Sequence, residues 1–119
     1  MKTNLNEVRD VVGQISAIKG FTEQTVLESM ALIHSEVSEA VEDYRSGLSP
    51  ADFVYDTDKS LTVGTGASID KPCGIPSEMA DIIIRTLDFC YRHGIDIERA
   101  ISEKIRYNSL RPYKHGKII

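Results

Sequence analysis

The chain has 119 residues, a net charge of −4 at neutral pH, 41% hydrophobic and 27% charged residues, which places it with ordinary globular proteins of single-domain size and away from disordered chains. No basic tract offers the cationic face that duplex nucleic acid requires, and no apolar run approaches the roughly 18 residues of a membrane span. Cys73 and Cys90 are too few for a disulfide framework, and the polar N-terminal stretch MKTNLNEVRD lacks the pattern of a signal peptide, so a reduced, cytoplasmic setting is the expectation.

Four helices and one long connection are expected, an all-α fold in one domain spanning 1–119. The first apolar series, Leu5, Val8, Val11, Val12, Ile15 and Ile18, has helical spacing, with Asn4 or Asn6 to cap it and Gly20 to stop it. Gly13 interrupts the series. The second helix runs from about Glu23 to Arg45 with Thr22 as N-cap and Gly47 beyond its end. Its apolar stripe is Val26, Met30, Ile33, Val37, Val41 and Tyr44.

Glycines and prolines then break the pattern over 47–76, where a short hairpin between Asp52 and Ile69 is one option. A connection of that length in a compact domain is usually functional or mobile. The third helix starts at Pro76 or Ser77, reaches about His93, and is apolar on nearly every side. Such a helix suits the middle of a bundle or a subunit interface, so a homo-oligomer, dimer or tetramer, is expected. The fourth runs from Ile97 to Leu110 with Asp96 as N-cap. The second and third helices are expected to run antiparallel.

Two acid pairs carry the chemistry. Glu36 and Glu39 on the second helix, and Glu78 and Asp81 on the third, are each spaced i, i+3, so both carboxylates of a pair leave one side of the helix. Asp43 lies close to the first line, and Arg85 and Asp88 extend the second. An E-x-x-E pair alone is commonly a solvated face, and Arg85 offers Asp81 a purely structural partner. The third helix, however, is too apolar to be solvated, and a buried carboxylate needs a partner or a metal. Two such pairs facing each other give four hard oxygen donors, which suit Mg²⁺, with Mn²⁺ as a substitute. On the fourth helix Lys104, Asn108 and Arg111 share one side, followed by His115 and Lys117. That line suits a polyphosphate, or is a basic helix end favoured by the helix dipole. His34, Tyr107 and Tyr113 read as packing residues.

The segments HSEVSEAVEDYR (34–45), GIPSEMADIIIRTLDFCYRHGIDIERAI (74–101) and KIRYNSLRPYKHGK (104–117) resemble the MazG-like nucleotide pyrophosphohydrolases of the all-α NTP pyrophosphatase superfamily. Where family members often double the acid of the first motif, this chain has Ser35. The resemblance implies hydrolysis of a nucleoside triphosphate to the monophosphate and pyrophosphate. It implies Glu36, Glu39, Glu78 and Asp81 as Mg²⁺ ligands and catalytic acids, and Lys104, Asn108 and Arg111 as phosphate binders. A carboxylate such as Glu39 would hold the attacking water. The non-enzyme alternatives are a nucleotide-binding regulator and a helical interaction module, both without turnover. No base code is readable in the first two helices or the connection.

Overall fold

A computed structural model describes residues 4–21 and 23–116. Its elements are α1 (Leu5–Ile18), α2 (Val26–Arg45), β1 (Val54–Thr62), β2 (Ser68–Cys73), α3 (Gly74–Arg92), α4 (Ile97–Leu110) and a short 3₁₀ turn, Tyr113–Gly116. The all-α expectation is therefore corrected: four helices are joined by a two-stranded antiparallel sheet. The residues form two compact units. One comprises 23–86 and the other joins residues up to 22 with 87 onward. Among the described residues no helix is long and apolar enough to cross a membrane.

In the 23–86 unit, α2 begins at Val26 under a capping box. The Thr25 hydroxyl accepts from the Glu28 amide while the Glu28 carboxylate accepts from the Thr25 amide. Thr22, the expected cap, lies outside the described residues. The connection carries β-prone residues at both ends of its first strand, Val54 and Tyr55 and then Leu61 and Thr62, and the Val63 amide donates to the Ala67 carbonyl to close a tight turn. Val54 pairs with Cys73, Tyr55 with Pro72 and Asp56 with Lys71. Beyond an irregularity, Leu61 pairs with Ile69. Thr57 to Ser60 stand opposite Asp70 alone. A lone hairpin is marginal in water; here it runs straight into α3. Gly74 makes the junction. Its φ is +86°, and a Cβ there would lie 3.0 Å from the Asp52 carbonyl oxygen and 3.4 Å from Val54. Ser77 is not an N-cap; its hydroxyl donates to the Pro72 carbonyl.

The other unit packs α1 against α4 and the last turns of α3. Asn6 does not cap its own helix. Its side chain binds the start of α4, accepting from the Ile97 amide and donating to Asp96. Asp96 is the N-cap of α4, accepting from the Arg99 amide. The Asn6 donor and that amide hold the Asp96 carboxyl below its ordinary range. Arg9 reaches the Ile95 carbonyl at 2.8 Å. Leu87 and Cys90 are buried, and burial pushes the Cys90 thiol up.

The expected apolar stripes of α1 and α2 are covered only in part: Leu5, Val12 and Ile33 are half-buried and the rest is exposed. On α1 Gly13 is buried, with Asn6, Arg9 and Ser16 half-buried on the same line, while Val8, Val11, Ile15 and Ile18 are exposed. On α2 the buried residues are Ser29, Glu36 and Ala40, while Val26, Met30, Val37, Val41 and Tyr44 are exposed. Small and polar side chains thus make the closest contacts, because they let backbones and ion pairs approach.

Gly13 shows this most sharply, since a Cβ there would fall 2.0 Å from the Tyr91 ring. Gly13→Ala should therefore lower stability by about 1–3 kcal/mol by overpacking, despite the better helix propensity of alanine. Thermal melts check this: removing the obstructing ring in Gly13→Ala/Tyr91→Ala should recover part of the loss.

Candidate metal and phosphate site

The site lies within the 23–86 unit. Glu36 on α2 is buried, its side chain only 7% exposed, and the Arg85 guanidinium of α3 donates to it at 2.7 Å. Further along α2, Glu39, Glu42 and Asp43 line a cavity of about 410 Å³ together with Lys71 and Glu78. The partners of α2 thus fall in sequence number as α2 advances, so α2 and the first part of α3 run antiparallel, as expected.

Arg85, which helical spacing offers to Asp81, donates its hydrogen bond to Glu36 instead. Asp88 leaves the acid group altogether. It pairs with Arg92 at 2.9 Å and accepts from Ser16, in the other unit. Oxygens of Glu36, Glu78 and Asp81 lie within 4.8 Å of one another. Glu39 is exposed and stands outside that triplet, although it is close enough to hydrogen-bond Glu36 and Glu78. The four-acid set expected from sequence is therefore three convergent carboxylates with a fourth on the rim.

The electrostatics follow from crowding. Glu78 is pushed up to about 7, first by burial and then by its bonds to Glu36 and Glu39 and their negative charges. Burial also acts upward on Glu36, but Arg85 and the hydrogen bonds from Glu39 and Glu78 outweigh it and hold that carboxyl below its ordinary value. Asp81 is raised, by burial and by the Glu36 charge, against weaker opposition from Arg85 and Lys71. The Arg85 guanidinium thus bonds Glu36 and acts on Asp81 from a distance, as Lys71 does, while neither relieves Glu78.

The residues fit a hard divalent cation on an observation beyond the clustering. One oxygen each of Glu36 and Glu78, both Oε2, is buried without a hydrogen-bond partner, as is Asp43 Oδ2. An orphaned carboxylate oxygen in a protein interior is costly unless something binds it. All donors are hard oxygens, the set Mg²⁺ takes.

Sequence reasoning missed Lys71. It lines the acid cavity from β2, and no local pattern announces it, because only the pairing register of the hairpin brings it there. Lys104 and Asn108 are exposed on α4 and Arg111 is half-exposed just beyond it, in the other unit. The Lys104 and Arg111 cations stand 5.6 and 5.7 Å from the centre of the Tyr107 ring. Lys117 and the side chain of His115 lie outside the described residues. Compared with known proteins, the chain matches no family model, no curated protein and no solved structure.

A pH signature follows. Folding raises the Glu78 pKa from 4.5 to about 7, so the native state binds that proton more tightly than the unfolded chain. Metal-free stability should therefore fall as pH rises through this window, and Glu78→Gln should flatten the fall. A divalent cation held by these oxygens would compete with the same proton, so any stabilisation by Mg²⁺ should be larger at about pH 8 than at about pH 6. Calorimetric melts at these pH values, with Mg²⁺ or with chelator, measure both effects.

Proposed function

We propose that this protein is a Mg²⁺-dependent nucleoside triphosphate pyrophosphohydrolase, releasing the monophosphate and pyrophosphate. The carrying observation is the convergence of Glu36, Glu78 and Asp81 oxygens within 4.8 Å, with buried carboxylate oxygens left unpartnered. The MazG-like motifs of the sequence favour the same chemistry.

In this reading Glu36, Glu78 and Asp81 hold the metal. Bound there, Mg²⁺ would neutralise phosphate charge and acidify a water molecule. Arg85 keeps Glu36 ionised and fixes its direction. Glu39, exposed on the rim of the triplet, accepts the proton of the attacking water; its solvent-facing position beside the convergent group supports that role. Lys104, Asn108 and Arg111 bind phosphate oxygens, a role supported by their exposure and donor chemistry.

The active species in this reading is a homo-oligomer. Exposed apolar side chains on α2 (Val26, Met30, Val37 and Val41) and on α3 (Met79 and Ile83) support it, because large exposed apolar areas mark interfaces. Sedimentation at micromolar concentration should give a dimer or larger, and Val37→Lys/Val41→Lys should shift it toward monomer. A wild-type monomer would remove the oligomer from this account.

The enzyme reading is tested by Mg²⁺-dependent pyrophosphate release from a panel of canonical and damaged ribo- and deoxyribonucleoside triphosphates. Asp81→Asn keeps the size of the side chain and removes an anionic donor. Turnover should fall about 10²-fold or more, while the metal-free melting temperature stays level or rises as carboxylate repulsion is relieved. A destabilised Asp81→Asn protein with wild-type pyrophosphate release would overturn the metal assignment. Binding of the nucleotide without turnover would instead indicate a regulator.

A further inference from the structure

A second cavity opens beside the acid triplet, also within the 23–86 unit, with a volume of about 440 Å³. That is within the roughly 300–1,000 Å³ of small-molecule sites. Its walls are Phe53, Tyr55, Pro72 and Ile84, from the hairpin and from α3. Phe53, just before β1, and Tyr55, within it, both line the cavity, with Val54 between them. Both rings are largely exposed, at 75% and 57%. Exposed aromatic rings on a concave wall are suited to stacking on a flat heterocycle.

Two residues connect this cavity to the acid site. Asp81 lines the apolar cavity and supplies an oxygen to the carboxylate triplet. Lys71 lines both the apolar cavity and the acid cavity. Its charge acts on Asp81, yet its ammonium forms no salt bridge among the described residues. An apolar, aromatic chamber at one end, a metal-suited acid group at the other and a lysine at their shared edge match the parts of a nucleotide. The base and sugar are flat and amphipathic, and the phosphates are anionic.

We infer that the hairpin cavity is the nucleoside subsite, with the base against Phe53 and Tyr55 and with Lys71 on the phosphate nearest the sugar. The inference rests on the pyrophosphohydrolase reading for its substrate. It adds a role for the 47–76 connection: the hairpin selects the nucleoside, and the acids handle the phosphates. The hairpin register carries this division, since Tyr55 pairs with Pro72 and the next pair is Asp56 with Lys71.

The test uses the full chain with Mg²⁺ and three probes: the nucleoside triphosphate panel, the corresponding monophosphates, and inorganic tripolyphosphate, which has no base. Phe53→Ala/Tyr55→Ala removes two exposed rings. It should raise KM for nucleoside triphosphates, and Kd for monophosphates, by about tenfold or more, with kcat within about twofold. Tripolyphosphate should inhibit this variant as it inhibits wild type. Ala80→Phe, at an exposed helix position on the cavity wall, should fill the chamber and give the same split; circular dichroism verifies that both variants fold. Lys71→Gln should weaken nucleotides and tripolyphosphate alike. The subsite is overturned if both cavity variants keep wild-type KM and Kd for nucleotides, or if tripolyphosphate binding falls as much as nucleotide binding. If wild type releases pyrophosphate from no triphosphate, the parent reading fails; equilibrium nucleotide binding to wild type and the cavity variants then decides the subsite separately, and equal or absent binding overturns it.

Discussion

The structure turns on a buried carboxylate. Glu36 is withdrawn from water and shares its surroundings with Glu78 and Asp81, while Arg85 is its one hydrogen-bonded cation. Three crowded carboxylates with Glu39 on the rim, against one bonded guanidinium and the more distant Lys71, are not balanced in a partly dry space. The imbalance has two physical remedies. A proton can stay on Glu78, which is why that group is raised to about 7, or a divalent cation can occupy the orphaned oxygens. The two remedies would exclude one another, so a metal bound here would displace the Glu78 proton. Removing Arg85 would worsen the imbalance rather than free the acids, because its bond is what lets Glu36 stay ionised.

The same preference for small and polar contact residues runs through both units. Gly13 admits the Tyr91 ring, Ser16 joins the Asp88–Arg92 pair, and Ser29, Glu36 and Ala40 form the buried line of α2. These choices place ion pairs and a ring at the contacts where aliphatic side chains would ordinarily sit. They also leave two aliphatic stripes, Val8–Val11–Ile15 on α1 and Val37–Val41 on α2, facing out. Apolar area of this kind gains about 25 cal/mol for each Å² removed from water, which is the driving force available to a second copy.

The hairpin is the least regular part of the fold, and the proposed nucleoside subsite rests on it. Its two strands are both edges, and Pro72, which has no amide to donate, sits in one of them. Four residues opposite Asp70 break its ladder. Its firm end is the one next to α3, where Gly74 lets the chain turn under the Asp52 carbonyl. That end carries Tyr55, Lys71 and Pro72, so the side chains lining both cavities come from the anchored part of the hairpin rather than from its tip.

The sequence by itself determined the helices and the acid lines. Helical spacing and stop signals locate Leu5–Ile18 and Ile97–Leu110 as the structure has them, with Asp96 as a true cap. The i, i+3 spacing of Glu36/Glu39 and Glu78/Asp81 is a local property of the chain, so it survives folding unchanged. Only the tertiary structure decided which face each helix buries, because amphipathic periodicity ranks faces by hydrophobicity and cannot register a close approach to a glycine or a buried ion pair. It decided that Arg85 serves Glu36 rather than Asp81, that Asp88 turns to Arg92, and that Glu39 stays on the rim. It also decided that the hairpin, one option for the connection, forms and runs on to Cys73, so the fold is not all-α. Strand pairing joins residues such as Asp56 and Lys71 that are distant in sequence, and that non-local register is what delivers Lys71 to the acids.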